Sequence, residues 1–120
     1  MKTIMLIDDD PTMLKLLQTL LRIEGFNPVP WSRMGDIIAE TVLTDPEIVL
    51  LDVNLRNANG IEILKQMRAT EALAHLPVIM TSGIDYRAES REAGANDFIT
   101  KPYMPDVLVR SIRSHLMEEV

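Results

Sequence analysis

The chain contains no cysteine, so neither a disulfide nor a thiolate metal site is open to it. Aromatic residues make up only 4 % of its 120 positions, which leaves Leu, Ile, Val, Met and Ala to build the core. No apolar run approaches the length of a membrane span, so no membrane association is expected. The opening, Met1-Lys2-Thr3-Ile4-Met5-Leu6-Ile7, lacks the long apolar stretch and small-residue cleavage site of a secretory signal. A cytoplasmic protein is therefore expected. Positive charge is also scarce: 12 Lys and Arg against 18 Asp and Glu give a net charge of −6, which argues against direct nucleic-acid binding by this domain. Repeats, low-complexity tracts and linkers are all missing. Residues 1–120 are expected to fold as one domain with a real core.

What is present is an alternation of short apolar runs with helical patterns. Thr3–Ile7 reads as a strand, followed by Asp8-Asp9-Asp10-Pro11. Asp10 can cap a helix that Pro11 starts, Met13, Leu14, Leu17, Leu20 and Leu21 give that helix its apolar face, and Gly25 stops it. Asn27–Trp31 carries Pro28 and Pro30 and so reads as an edge strand. Ser32 is expected to cap a second helix running to about Leu43, with Met34, Ile37, Ile38 and Val42 inward, before Asp45-Pro46 breaks it. Ile48-Val49-Leu50-Leu51 is apolar without interruption and runs into Asp52, the pattern of a strand buried on both faces. A polar loop from Asn54 to Asn59 leads to a third helix, capped by Asn59 with Glu62 three residues on. Leu76–Gly83 reads as a fourth strand, Asp85–Ala93 as a short helix closed by Gly94, and Asp97–Thr100 as a fifth strand. Pro105 begins a last helix with Leu108, Ile112 and Leu116 on its inner face, expected to run to the chain end at Val120 and to leave no effector domain.

Five strands alternating with five helices, the fourth helix short, predict an α/β doubly wound, flavodoxin-like parallel sheet. The order 2-1-3-4-5 sets the first and third strands side by side. In that order Asp8 and Asp9, Asp52, Ser82 and Lys101 each follow a different strand, and all meet at the carboxyl edge, where open sheets bind ligands. Two unit charges 4 Å apart repel by about 4 kcal/mol at an effective dielectric near 20. Such a group of carboxylates must protonate or take up a cation. With only oxygen donors, Mg²⁺ or Mn²⁺ is favoured over zinc. A cation, the Lys101 ammonium and the Ser82 hydroxyl together suit a phosphoryl group. Taken singly, each feature has a plainer explanation: acids at a helix start, a solvated lysine, a serine in a turn. Their conjunction on one edge is what calls for chemistry.

In combination these residues resemble the receiver domain of two-component response regulators, over essentially the whole chain. Asp8 and Asp9 match the family's acidic pair, Asp52 its phosphoacceptor, Asn54 the position whose backbone carbonyl joins the metal shell, and Gly60 the glycine after that loop. Ser82 matches the switch hydroxyl, Phe98 the switch aromatic, and Lys101-Pro102 the lysine–proline pair with its cis peptide. The resemblance implies that a histidine kinase, a phosphotransfer protein or a small phosphodonor passes a phosphoryl group to Asp52. It implies Mg²⁺ held by Asp9, Asp52 and the Asn54 carbonyl, with Asp8 acting partly through water. Lys101 and Ser82 would bind the phosphoryl oxygens. Ser82 would then vacate space into which Phe98 turns, reshaping the face that addresses an effector domain or partner protein. On this reading the chain is a signalling domain rather than an enzyme, catalysing only its own phosphorylation and dephosphorylation, and it can dimerise.

The chain departs from the family at Arg56, where a proline is usual, and in a shortened span between Ser82 and Lys101. Asp85–Ala93 lacks Leu, Ile and Val, so it is expected to be mobile and to alter the usual output surface. His75 and His115 are expected at the surface, Trp31 in packing, and the methionines as core fillers. The alternative is a Mg²⁺-dependent aspartyl-phosphate hydrolase, which would want an acid two residues after the nucleophile, where Asn54 stands. A flavodoxin-like nucleotide binder would want a phosphate-cradling loop where this chain has three acids.

Overall fold

Side-chain alternation in the strands splits the core into two layers. The computed structural model describes residues 1–116. Its main strands are β1 (Thr3–Ile7), β2 (Asn27–Pro30), β3 (Ile48–Asp52), β6 (Val78–Ser82) and β7 (Asp97–Thr100), joined in one parallel sheet of order β2-β1-β3-β6-β7. This is the expected order, with Pro-bearing β2 at an edge, where its missing N–H groups break no ladder. Ile4, Leu6, Ile48, Leu50, Ile79 and Ile99 point to one face and pack on Leu14, Leu17 and Leu21 of α1 (Pro11–Ile23) and Leu108 and Ile112 of α5 (Pro105–His115). Met5, Ile7, Val49, Leu51, Val78, Met80 and Phe98 point to the other face. There they meet Ile63, Leu64 and Met67 of α3 (Gly60–Ala69) and the half-buried Ile37 and Ile38 of α2 (Ile37–Thr44). Every residue of β3 and β6 is buried, so these strands carry no polar side chain except at their carboxyl ends.

The helix starts follow local chemistry. Asp10 caps α1 by accepting from Thr12 N at 3.0 Å and Met13 N at 3.3 Å. Asn59 caps α3 by accepting from Ile61 N at 2.8 Å and Glu62 N at 3.4 Å. The second helix corrects the sequence expectation. It begins at Ile37, and its cap is Asp36, whose carboxylate accepts from Ile38 N at 2.9 Å and Ala39 N at 3.3 Å. Ser32 is instead bonded to Glu40, by its hydroxyl and by its main-chain N–H, both at 2.8 Å. Arg33 adopts a φ of 71°, which no helix tolerates, so the chain cannot enter α2 there. Met34 is consequently exposed rather than inward, and Val42 also faces solvent.

Two further elements lie where only loop was expected. Asn54–Leu55 (β4) pairs antiparallel with Ala58–Asn59 (β5), and a 3₁₀ turn spans Glu71–Leu73. The fourth helix, α4, is short as expected, covering Arg87–Glu92, and its one buried residue is Ser90. The expected continuation of α5 to Val120 falls partly outside the described residues; α5 ends at His115 with Leu116 as its cap. Among the described residues no helix is long and apolar enough to cross a membrane.

Candidate functional site

Register brings the polar strand ends together. Ile7 pairs with Leu51, Asp52 with Thr81, and Ser82 with Thr100, so Asp8, Asp52, Ser82 and Lys101 emerge in neighbouring strands at one level. Lys101 N donates to Ser82 O at 2.8 Å, which ties the fifth-strand exit to β6. The Lys101–Pro102 peptide is cis. The loop after Asp52 is closed by Gly60 N donating to Val53 O at 2.7 Å.

Lys101 is the hub. Its Nζ lies 3.0 Å from Asp8 Oδ2 and 3.1 Å from Asp52 Oδ2. The remaining oxygens of both acids accept main-chain N–H groups: Asp8 Oδ1 from Asp10 at 2.9 Å and Asp52 Oδ1 from Asn54 at 3.1 Å. Burial pushes the Asp52 carboxyl above its ordinary pKa, an effect that the Asn54 N–H and the Lys101 charge oppose without cancelling. Burial pulls Lys101 the opposite way, but its bonds to Asp8 and Asp52 and their charges outweigh it, so its pKa is raised. Tyr103 is buried nearby, and burial followed by the charges of Asp8 and Asp52 raises its phenol pKa.

Asp9 stands at the rim, not in this ion pair. Its Oδ2 accepts the main-chain N–H of Arg56, and its carbonyl accepts from Arg33 Nη2 at 2.9 Å. The acids, Asn54, Arg56 and Lys101 line an open cavity of about 370 Å³. Among the described residues no three His, Cys, Asp or Glu side chains are arranged to hold a metal ion, and Lys101 Nζ bridges Asp8 and Asp52.

The two residues expected to act as a switch are placed differently from one another. Ser82 is fully buried and donates its hydroxyl to Asn54 Oδ1 at 2.7 Å, while accepting from Ile84 N at 3.1 Å. Its hydroxyl bonds neither Asp52 nor Lys101. Phe98 is already buried, packed in the layer with Met80 and Val53, and the Arg87 guanidinium lies 5.7 Å from its ring centroid. The expected inward turn of Phe98 therefore finds the ring inside already. His75 is exposed; His115, half-buried, contacts Ser111 O at 2.8 Å. Trp31 is half-buried against the sheet and donates its indole N–H to Gly35 O at 3.2 Å.

Sequence reasoning missed the side chain of Asn54, the amide of Arg56 and the reach of Arg33. The first was legible as a polar residue two positions after Asp52. The other two act on Asp9 through bonds that involve a main-chain group, which residue type does not signal.

Comparison with known proteins agrees with this geometry. Residues 4–113 match the family described as response regulator receiver domain. The transcriptional regulatory protein CpxR of Escherichia coli (strain K12) is 37 % identical over 120 residues, covering 97 % of this chain and 50 % of that protein. The phosphate regulon transcriptional regulatory protein PhoB of Pseudomonas aeruginosa is 29 % identical over 118 residues, covering 96 % of this chain and 52 % of that protein. The chain thus spans about half the length of these relatives. Among solved structures, a putative response regulator from Chloroflexus aurantiacus superposes with a TM-score of 0.87 at 27 % identity, covering 95 % of this chain and 96 % of that one. The BeF3-activated N-terminal receiver domain of Klebsiella pneumoniae RstA gives 0.85 at 25 % identity, covering 98 % of this chain and 100 % of that one. With the strand-end acids, the lysine hub and a match over nearly its whole length, the chain belongs to the response regulator receiver domain family.

Proposed function

We propose that residues 1–120 act as one receiver in which Asp52 accepts a phosphoryl group from a phosphohistidine of a kinase or phosphotransfer protein, or from a small acyl phosphate. The observation that carries this reading is the Lys101 ammonium held 3.1 Å from Asp52 at the floor of an open acidic cavity. An Asp52 oxygen attacks phosphorus as the bond to the donor's nitrogen or oxygen breaks, and the leaving group departs with the electron pair. Lys101 favours the ionised form of Asp52, opposing the effect of burial, and can follow the new phosphoryl oxygens after the transfer. Ser82 reaches those oxygens only by leaving Asn54.

The donor set fits a hard divalent ion: Asp8, Asp9 and Asp52 offer carboxylate oxygens, Asn54 a carbonyl, and neither sulfur nor imidazole is near. Mg²⁺ or Mn²⁺ bound there supplies the positive charge that lets an anionic carboxylate approach an anionic phosphorus. Asp9 and Asp52 would hold it directly, with Lys101 withdrawing from between Asp8 and Asp52.

A protein phosphodonor needs a seat beside this cavity. The outer face of α1 offers one: Leu16 is 62 % and Ile23 75 % exposed, and a groove of about 540 Å³ runs between them and Pro102, Tyr103 and Pro105. Pro11 and Lys101 line the acidic cavity while Met13 and Pro102, close to them in sequence, line this groove, so a partner seated on α1 lies beside the cavity that holds Asp52.

Incubation with acetyl phosphate and Mg²⁺, followed by intact mass measurement, tests the reading. One phosphoryl adduct that Asp52→Asn abolishes is the expected result. Turnover of phosphate esters without an adduct would overturn it.

A further inference from the structure

We propose that the main-chain N–H of Arg56 holds the Asp9 carboxylate in reserve, so that this residue sets how readily the acidic cavity takes up a divalent cation. The inference rests on the reading above, in which Asp9 is a metal ligand. Arg56 is the first residue of the two-residue turn joining β4 to β5, beyond the Leu55–Ala58 pair. Its N–H has no ladder partner and donates to Asp9 Oδ2 instead.

The three acids are restrained unequally. Asp8 and Asp52 each give one oxygen to a main-chain N–H and the other to Lys101, so one oxygen of each is released when that single ammonium moves. Asp9 makes no bond to Lys101; its restraint is the Arg56 amide. Among the described residues no three acids come together around a metal position. Assembling one calls for Lys101 to withdraw and for the Asp9 carboxylate to turn toward the other two, a movement that the bond from Arg56 N opposes. A carboxylate that accepts a main-chain N–H is held by one of the stronger kinds of hydrogen bond.

Arg56 acts on the cavity in two separable ways. Its side chain lines the cavity, is exposed and makes no hydrogen bond or ion pair among the described residues, so its charge opposes an incoming cation. Its amide restrains Asp9 whatever the side chain. Alanine removes the charge and keeps the amide. Proline removes both, because it has no N–H. The position accepts proline: Arg56 is not among the residues with positive φ, and the first central position of such a turn is one that proline favours.

Isothermal titration with MgCl₂ of the wild type, Arg56→Ala and Arg56→Pro separates the effects. The expected order of affinity is proline over alanine over wild type, with proline about tenfold tighter than alanine, as loss of one hydrogen bond to a charged group implies. Equal affinities for proline and alanine, or weaker binding by proline, would overturn the inference while leaving the proposed function standing. No Mg²⁺ binding by the wild type would overturn both. Should the proline variant not fold, amide hydrogen exchange decides on the wild type alone. The Arg56 N–H is expected to be protected without Mg²⁺ and to lose that protection at saturation, and protection unchanged by Mg²⁺ would overturn the inference.

Discussion

Lys101 Nζ stands almost equidistant between Asp8 and Asp52, at 3.0 and 3.1 Å, and its side chain is only 20 % exposed. One ammonium thus neutralises two buried carboxylates. Removing it leaves both acids buried, close together and without a counter-charge. Breaking such a pair costs roughly 3–5 kcal/mol, so Lys101→Met is expected to lower stability by that order in urea unfolding at pH 7. Adding Asp52→Asn removes one of the stranded charges and should recover part of the loss. Additive effects in that double variant would mean that the two side chains do not interact.

The same hub sets a pH dependence. Lys101 has its pKa raised above the ordinary 10.5 in the folded protein, since Asp8 and Asp52 outweigh burial. Its pairing therefore contributes in full below pH 10.5 and is lost as pH rises through the higher folded-state value. The stability gap between wild type and Lys101→Met should stay level through neutral pH and close in alkali. Asp52 works in the other direction. Burial raises its carboxyl above 3.8, so the folded state binds that proton more tightly than the unfolded chain does. Stability falls as pH climbs from 3.8 through the folded-state value, and Asp52→Asn is expected to be more stable than wild type at pH 7. Urea midpoints measured across pH check both directions.

Gly60 is fixed by the site rather than by its own helix. A Cβ there would lie 2.2 Å from the carbonyl oxygen of Asp52 and 2.8 Å from Val53 Cα, both main-chain atoms that cannot swing aside. Gly60→Ala should cost about 1–3 kcal/mol through overpacking, and, by displacing Asp52, should slow adduct formation with acetyl phosphate. Gly83 also follows a strand end, but nothing lies within 4 Å of its Cβ position. Gly83→Ala is the control and should leave both measurements close to wild type.

The fold and the chemical centre were legible because both are written in side chains. Four uninterrupted apolar residues before Asp52 place it at the exit of a buried strand, and the alternation of elements sets β1 beside β3. Asp8, Asp52 and Lys101 meet as that order requires. The start of α2 was misread because Ser32 and Asp36 both suit a cap, and the choice between them is made by Arg33 in a left-handed conformation and by Glu40 engaging Ser32. Asp8 and Asp9 leave the same strand, yet only Asp8 meets Lys101. The partner of Asp9 is an amide 47 positions away, and every residue but proline carries one. Phe98 lies inside because β7 directs it into the layer with Met80.

The short segment after Ser82 is secured from outside. α4 buries only Ser90, whose hydroxyl has no hydrogen-bond partner among the described residues, so the helix has little apolar surface with which to hold its own place. Arg68, at the far end of α3, provides the clasp. Its Nε and Nη2 donate to Gly94 O at 3.1 and 2.9 Å, and Nη2 also reaches Asn96 Oδ1 at 3.1 Å. Its Nη1 donates to Leu76 O at 2.8 Å and Leu73 O at 3.1 Å. One planar guanidinium thus joins the turn after α4 to the approach to β6, where Asn96 Oδ1 also accepts Val78 N at 2.9 Å. A lysine has one donor centre and cannot span both sides. Arg68→Lys and Arg68→Ala should therefore behave alike, each losing about 3 kcal/mol as part-buried carbonyls are stranded. Native-state hydrogen exchange is the sharper measure. Amides of residues 86–95 should lose more protection than those of β1 and β3, since the clasp holds α4 and not the central sheet. A uniform loss across the chain would mean that α4 is held by its own packing.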